Sequence, residues 1–184
     1  MREIGGYFEL EQLIHKEYYP NLIALSHARN SLLYVLKARK IRKLYIPFFL
    51  CNSVSDLCNR EGYRYEYYHI DKNFMPVFEA DLQPGEYLYV VNYYGQIDEQ
   101  KAKLLHCRYG NVIFDNVQAF FQQPVAGMDT IYSCRKFFGV PDGAYLATDA
   151  KLDEPLPADT SKDRMEHVLG RFEGAASDYY AVFQ

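Results

Sequence analysis

The sequence predicts an α/β protein with a mainly parallel central sheet flanked by helices. Two observations carry that expectation. Short apolar runs alternate with segments of helical spacing along most of the chain. Two of those runs, Tyr87–Asn92 and Asn111–Asp115, are almost continuously apolar, as strands buried on both faces of a parallel sheet must be.

The elements follow in order. Ser31–Lys40 carries Leu32, Leu33, Val35 and Leu36 at near-helical spacing and ends in basic residues. Leu44-Tyr45-Ile46 is a short strand that Pro47 should stop, because proline cannot donate to a ladder. Ser53–Arg60 has helical spacing and ends near Gly62, and Tyr63–Ile70 alternates like a strand. Asp98–His106 is expected as a helix closed by Gly110. Asp129–Tyr132 and Ala144–Thr148 are strands on either side of a turn. Lys151–Lys162 is polar and proline-rich, which predicts a surface loop or linker. Arg164–Phe183 has helical character that Gly170 and Gly174 weaken. The apolar end, Tyr179–Phe183, calls for a partner surface. The 184 residues suffice for one domain with a real core.

Composition excludes several classes. A net charge of -4 leaves no whole-chain electrostatic footprint for nucleic acid. No run approaches the roughly 18 apolar residues of a membrane span. Met1–Gly6 lacks the apolar core of a signal peptide, so a cytoplasmic location is expected. Cys51, Cys58, Cys107 and Cys134 then read as reduced thiols. They form no Cys-x-x-Cys pair and have no histidine cluster beside them, so no metal site is expected. The basic run Lys37–Lys43 is expected as a solvated helix end, where cations suit the dipole, in preference to a phosphate-backbone site. No Gly-x-Gly-x-x-Gly and no Walker-type Gly-Lys-Ser/Thr is present, which argues against a flavodoxin-like or other nucleotide-binding domain.

In parallel sheets ligands sit beyond the carboxyl ends of the strands. Asn92, Asp115, Gln118 and Ser133 fall at those ends. Ser133-Cys134-Arg135-Lys136 leaves one strand, and Asp142-Gly143-Ala144 enters the next. A lysine amine becomes a nucleophile when burial or a neighbouring cation lowers its pKa, and it can then form a Schiff base. Ser-x-x-Lys alone is common, and a lysine is ordinarily a solvated surface residue. Asp115-Asn116-Val117-Gln118 at another strand exit gives the lysine a context. An aspartate there is ordinarily a turn or cap residue. Beside a Schiff-base lysine it can instead keep a pyridine nitrogen protonated. Gln118 near the same ring could hydrogen-bond its hydroxyl, or simply be satisfied by backbone or water.

These segments resemble the large domain of the pyridoxal-phosphate-dependent sugar aminotransferases, the DegT/DnrJ/EryC1/StrS family. Ser26–Leu32 resembles the Ser-Gly-Thr-x-Ala-Leu segment that opens a helix under the cofactor phosphate. Ile46–Ser53 resembles the strand and Pro-led loop near the ring face. Asn92–Gln96 resembles the strand ending in Tyr-Gly-Gln. Phe114–Ala119 resembles the Asp-x-x-Gln-Ala motif, and Ser133–Ala144 the segment with the Schiff-base lysine and the following Glu-Gly-Gly. All five run in the family's order.

The resemblance implies Lys136 as the Schiff-base lysine and proton shuttle, with Asp115 as partner of the pyridine nitrogen. It implies Gln118 at the ring hydroxyl, and Ser133 with the backbone N–H groups of Ala28 and Arg29 at the phosphate. Pyridoxal 5'-phosphate is the implied cofactor. A nucleotide-linked keto-sugar and an amino-acid donor, glutamate by expectation, are the implied substrates. Surface polysaccharide biosynthesis is the implied setting, and a homodimer the implied assembly.

The departures are specific. Ala28 replaces the usual glycine of the phosphate segment and would be strained if that position needs positive φ. Cys51 falls where the family often stacks an aromatic on the ring. Ala144 replaces the second glycine after the lysine. Full members are longer and add a smaller C-terminal domain, so residues 1–184 are expected as the large domain alone, apparently truncated. The alternative is a non-catalytic remnant or binding subunit of the same fold.

Overall fold

The computed structural model describes residues 16–183. Met1–Gly6, the stretch lacking a signal-peptide apolar core, lies outside them. Eight strands form one sheet in the order β1-β8-β7-β6-β5-β2-β3-β4. They are β1 (Ile23–Leu25), β2 (Lys43–Pro47), β3 (Arg64–Ile70), β4 (Pro76–Val77), β5 (Glu86–Val91), β6 (Val112–Asp115), β7 (Asp129–Ser133) and β8 (Ala144–Ala147). The central pairings β3-β2, β2-β5, β5-β6 and β6-β7 are parallel, while β8 and the edge strands β1 and β4 pair antiparallel. The expected α/β class with its mainly parallel sheet is the observed one.

Side-chain alternation sorts the strands into two faces, because successive residues point to opposite sides. Tyr89, Val91, Ile113 and Ile131 join Leu32, Val35 and Leu36 of helix α1 (Ala28–Ala38) and Leu57 of helix α2 (Ser53–Glu61) in one core. Leu88, Val90, Val112 and Phe114 face the other way, onto Ala102 and Leu105 of helix α3 (Glu99–Tyr109). The continuous apolar runs are therefore needed to fill both faces.

Local chemistry sets the helix ends. The Asp98 carboxylate accepts the Lys101 N–H at 2.8 Å and caps α3. Gly62 closes α2 at φ 74, where glycine costs little. Helix α1 ends instead on Lys40 at φ 53, with the Ile41 N–H reaching back to the Leu36 carbonyl at 2.9 Å.

As expected, β2 ends at Pro47, which is itself in register with Tyr68, and the Phe48 N–H beyond it reaches the Tyr68 carbonyl at 2.8 Å. Three expectations need correction. The basic run is not simply a solvated helix end. Arg39 makes a two-pronged bond to the buried Asp129 at 2.9 and 3.0 Å, and Lys43 lies in β2 and pairs with Glu66 at 2.9 Å. Ala28 has no positive φ, because it is the first residue of α1, so alanine is unstrained there. The helical stretch Arg164–Phe183 breaks into α4 (Glu166–Glu173), a 3-10 turn (Ala176–Tyr179) and α5 (Tyr180–Phe183). Gly174 is extended, and at Gly170 the Tyr179 ring packs where a Cβ would stand 2.2 Å from it. Residues 151–161 carry no helix or strand. Strands β1 and β4 escaped the sequence reading, being only three and two residues long.

Arg39 ties the end of α1 to the start of β7, and Thr148 Oγ1 adds a bond to Asp129 at 2.6 Å. Arg39→Ala leaves a carboxylate 3% exposed without its cation. We expect a loss of about 2–3 kcal/mol in urea unfolding, short of a fully buried pair's cost because Arg39 still touches solvent.

Candidate active site

The strand order reverses at β2. The chain leaves β2 for β3 on one side, then returns to place β5 on the other. Such a reversal opens a crevice at the carboxyl ends of the strands. The loops after β2, β5, β6 and β7 carry Cys51, Tyr93–Gly95, Gln118 and Lys136 to that edge.

Asp115 is the last residue of β6 and is 6% exposed. Its Oδ2 accepts the Tyr89 phenol at 2.7 Å and its Oδ1 accepts the Val117 N–H at 2.8 Å. Burial raises its pKa above the usual carboxylate range, while Tyr89, Val117 and the Lys136 charge pull the other way. The structure thus brings Lys136 within electrostatic reach of Asp115. Lys136 itself is exposed and ends the 3-10 turn Cys134–Lys136 that follows β7.

That turn is held from beneath. The Cys134 N–H donates to the Gly143 carbonyl at 2.9 Å, and the Gly143 N–H to the Ser26 carbonyl at 2.6 Å. Gly143 has φ 114, and a Cβ there would press on Cys134 Sγ at 3.1 Å. Ala144, where the family has a second glycine, is an ordinary buried residue of β8.

Ser133, Ala28 and Arg29 meet at the same edge. Ser133 ends β7 and is buried. His27 precedes α1 in extended conformation, and its carbonyl takes the Asn30 and Ser31 N–H groups at 2.9 and 3.1 Å. The Ala28 and Arg29 N–H groups have no acceptor among the described residues. Burial, with help from Arg29 and Arg135, pushes the His27 imidazole down to about 4. Arg135 adds a buried Nε with no partner among the described residues. Its guanidinium lies 4.0 Å from the centre of the Phe183 ring and donates to the Phe183 carbonyl. An open helix N-terminus with two arginines beside it is an anion cradle.

Gln118 and Cys51 sit further out. Gln118 Oε1 accepts the Tyr94 N–H at 3.3 Å, and Tyr94 holds φ 53. Cys51 Sγ is exposed and lies 2.9 Å from Ser53 Oγ. Phe49 and Tyr93 pair beside it at 5.5 Å, and the Tyr93 phenol donates to the Phe49 carbonyl.

Sequence reasoning placed Asn92 at the edge but not its role. Asn92 is fully buried, and its amide meets Asn116 Oδ1, Gln122 Oε1 and the Ile97 carbonyl at 2.8–3.0 Å. Its Oδ1 accepts the Ile97 N–H at 2.8 Å. This network fixes the loop that carries Gln118. Tyr89, Arg135, His27 and Gln122 were missed. Only Tyr89 left a signal, since alternation puts it on the face of Asp115 once the register is known.

Among the described residues no group of three or more His, Cys, Asp and Glu could hold a metal ion, and no helix is long and apolar enough to cross a membrane. No family model matches the chain, and no curated protein matches it. Solved structures do match in fold. NtdA from Bacillus subtilis, solved with bound cofactor PMP, aligns at a TM-score of 0.57 and 18% identity over 79% of this chain and 35% of its own. A DegT DnrJ EryC1 StrS aminotransferase from Brucella abortus aligns at 0.54 and 14% over 81% of this chain and 44% of its own. DesI, solved in the presence of its TDP-sugar product, aligns at 0.54 and 15% over 70% of this chain and 37% of its own. The chain therefore spans less than half the length of these neighbours and shares their fold.

Asn92→Leu orphans several buried polar groups at once. We expect a loss of about 2–3 kcal/mol in urea unfolding. Faster amide exchange at Ile97 and through Asn116–Gln122 should accompany it.

Proposed function

We propose that this domain binds pyridoxal 5'-phosphate and serves an aminotransferase that moves an amino group from an amino acid, with glutamate as donor, to a nucleotide-linked keto-sugar. One observation carries the reading: a buried carboxylate, Asp115, lies within reach of the Lys136 charge on the strand edge that also bears an open anion cradle. The residues fit such a cofactor. The Ala28 and Arg29 N–H groups and the Arg135 Nε, without partners among the described residues, suit a phosphate, and Asp115 suits a cationic ring nitrogen.

When bound, the cofactor supplies an aldehyde for Schiff-base exchange and a ring that withdraws electrons. The protein's part is to bind, orient and move protons. Ala28, Arg29 and Ser133 grip the phosphate, and Arg135 adds charge. Asp115 would keep the ring nitrogen protonated by accepting its N–H on the acceptor sites that Tyr89 and Val117 leave free. Gln118 turns its amide to the ring hydroxyl. Lys136 Nζ carries the proton removed from the substrate. Cys51 stands where relatives place a stacking aromatic, and the Phe49–Tyr93 pair supplies aromatic surface beside it.

The nucleotide-sugar substrate is supported by DesI's TDP-sugar product, while the surface-polysaccharide setting rests on the sequence resemblance alone. A homodimer is supported by exposed aromatics around the site. Phe48, Tyr94 and Phe121 are 66%, 65% and 55% exposed, and such a rim calls for a covering surface. The Phe183 ring and carbonyl occupy part of the Arg135 guanidinium that a phosphate would use, which favours a second reading, a non-catalytic remnant or binding subunit of the same fold.

Three measurements test this. Purified protein with pyridoxal phosphate should give a visible absorbance band that borohydride traps on Lys136; no adduct there sinks the proposal. Lys136→Ala should abolish the trapped adduct. Asp115→Asn should retain partial binding but slow the half-reaction with glutamate by about 100-fold or more, in line with lost control of the ring proton. A trapped cofactor whose spectrum glutamate leaves unchanged establishes the second reading.

A further inference from the structure

We infer that Tyr89 is the positioning residue for Asp115, holding its carboxylate in one rotation so that a fixed set of acceptor sites faces the ring nitrogen. This deepens the cofactor reading and rests on it. The Tyr89 ring is 3% exposed, and its phenol donates to Asp115 Oδ2 at 2.7 Å. The Val117 N–H takes the other oxygen at 2.8 Å. A carboxylate has about four acceptor sites, so these two bonds leave each oxygen one more to offer.

Tyr89 is itself anchored from two sides. Val91 pairs with Asp115 across β5 and β6, and Tyr89 stands two residues earlier on the same face. Its phenol therefore reaches along the strand direction to the carboxylate. The β2-β5 ladder ends at Tyr45↔Leu88, where the two strands part for the crevice. There the Tyr68 phenol, from β3 beyond β2, donates to the Tyr89 carbonyl at 2.8 Å. Tyr89 is fixed where the sheet opens, which is where a support for the site has to be rigid.

A buried tyrosine needs some acceptor, and a backbone carbonyl would have met that need. A carboxylate as the acceptor couples the tyrosine to the charge of Asp115. The other titratable groups near the pair are Tyr68 from β3, Cys51 after β2, Tyr93 after β5 and Lys136 after β7.

The test starts without cofactor. The Asp115 carboxyl is titrated by carbon-13 NMR in the wild type, in Tyr89→Phe, and with a fluorinated tyrosine at position 89. Losing a donor to the charged form raises a carboxyl pKa, so Tyr89→Phe should move the midpoint up by about 1 unit or more. The fluorinated phenol is a stronger donor and should move it down. A midpoint that ignores both changes overturns the inference. If Tyr89→Phe does not fold, the fluorinated protein, which keeps the ring, decides alone. With pyridoxal phosphate added, Tyr89→Phe should still give the borohydride adduct on Lys136. Its binding should weaken by about tenfold, and the pH midpoint of its visible band should shift. Unchanged affinity and band also overturn the inference. A wild type that takes up no cofactor sinks the cofactor reading instead, while the cofactor-free titration still decides the Tyr89–Asp115 coupling.

Discussion

A carboxylate at the end of a buried strand can exist only if the protein replaces the water it has lost. Asp115 is that group, and the core around it is organised to meet the need. One oxygen is served by the phenol of the neighbouring strand and the other by the backbone of its own turn. Both donors stabilise the ionised form and oppose the rise in pKa that burial imposes. The remaining imbalance is what a cationic ligand at the strand edge can relieve. Lys136, on the next loop, already acts in that direction.

The surroundings follow from the same edge. Parallel strands end together, so one loop from each of β2, β5, β6 and β7 converges on the crevice. Those loops are held by buried polar contacts as well as by apolar packing of residues such as Ile97 and Phe120. Asn92 secures the β6 loop, and the Gly143 to Ser26 bond links the lysine turn to the end of β1, just before α1. At the far end of α1, the Arg39–Asp129 pair fixes the helix against β7. The open N-terminus of α1 is thus held in place relative to Ser133 at the opposite end of that strand.

The C-terminal segment shows how local and tertiary forces trade. Its helical character is real over Glu166–Glu173 and fails at Gly174, where the backbone becomes extended. Tyr179 then folds back onto Gly170, and Phe183 reaches the Arg135 guanidinium. The segment meets the cationic cradle through an aromatic ring, while Phe172 stays 91% exposed. Apolar side chains on this segment therefore face both the site and solvent.

Periodicity and composition were enough to determine the α/β class, the order of the longer elements and the polar residues at strand ends. Each depends on neighbours close in the chain: alternation along a strand, spacing on a helix face, a glycine after its last turn. Asp115, Ser133 and Lys136 were legible for that reason, because they stand at strand exits. The tertiary structure decided what is joined. Tyr89 meets Asp115 only through the β5-β6 register, and Arg39 meets Asp129 across ninety residues of chain. The aromatic pairs of the rim gather at one edge only because the strands end together. Short edge strands such as β1 and β4 have too few residues to show a period, so pairing alone defines them. Register and long-range pairing are set by which surfaces can be buried together, and that is a property of the folded chain.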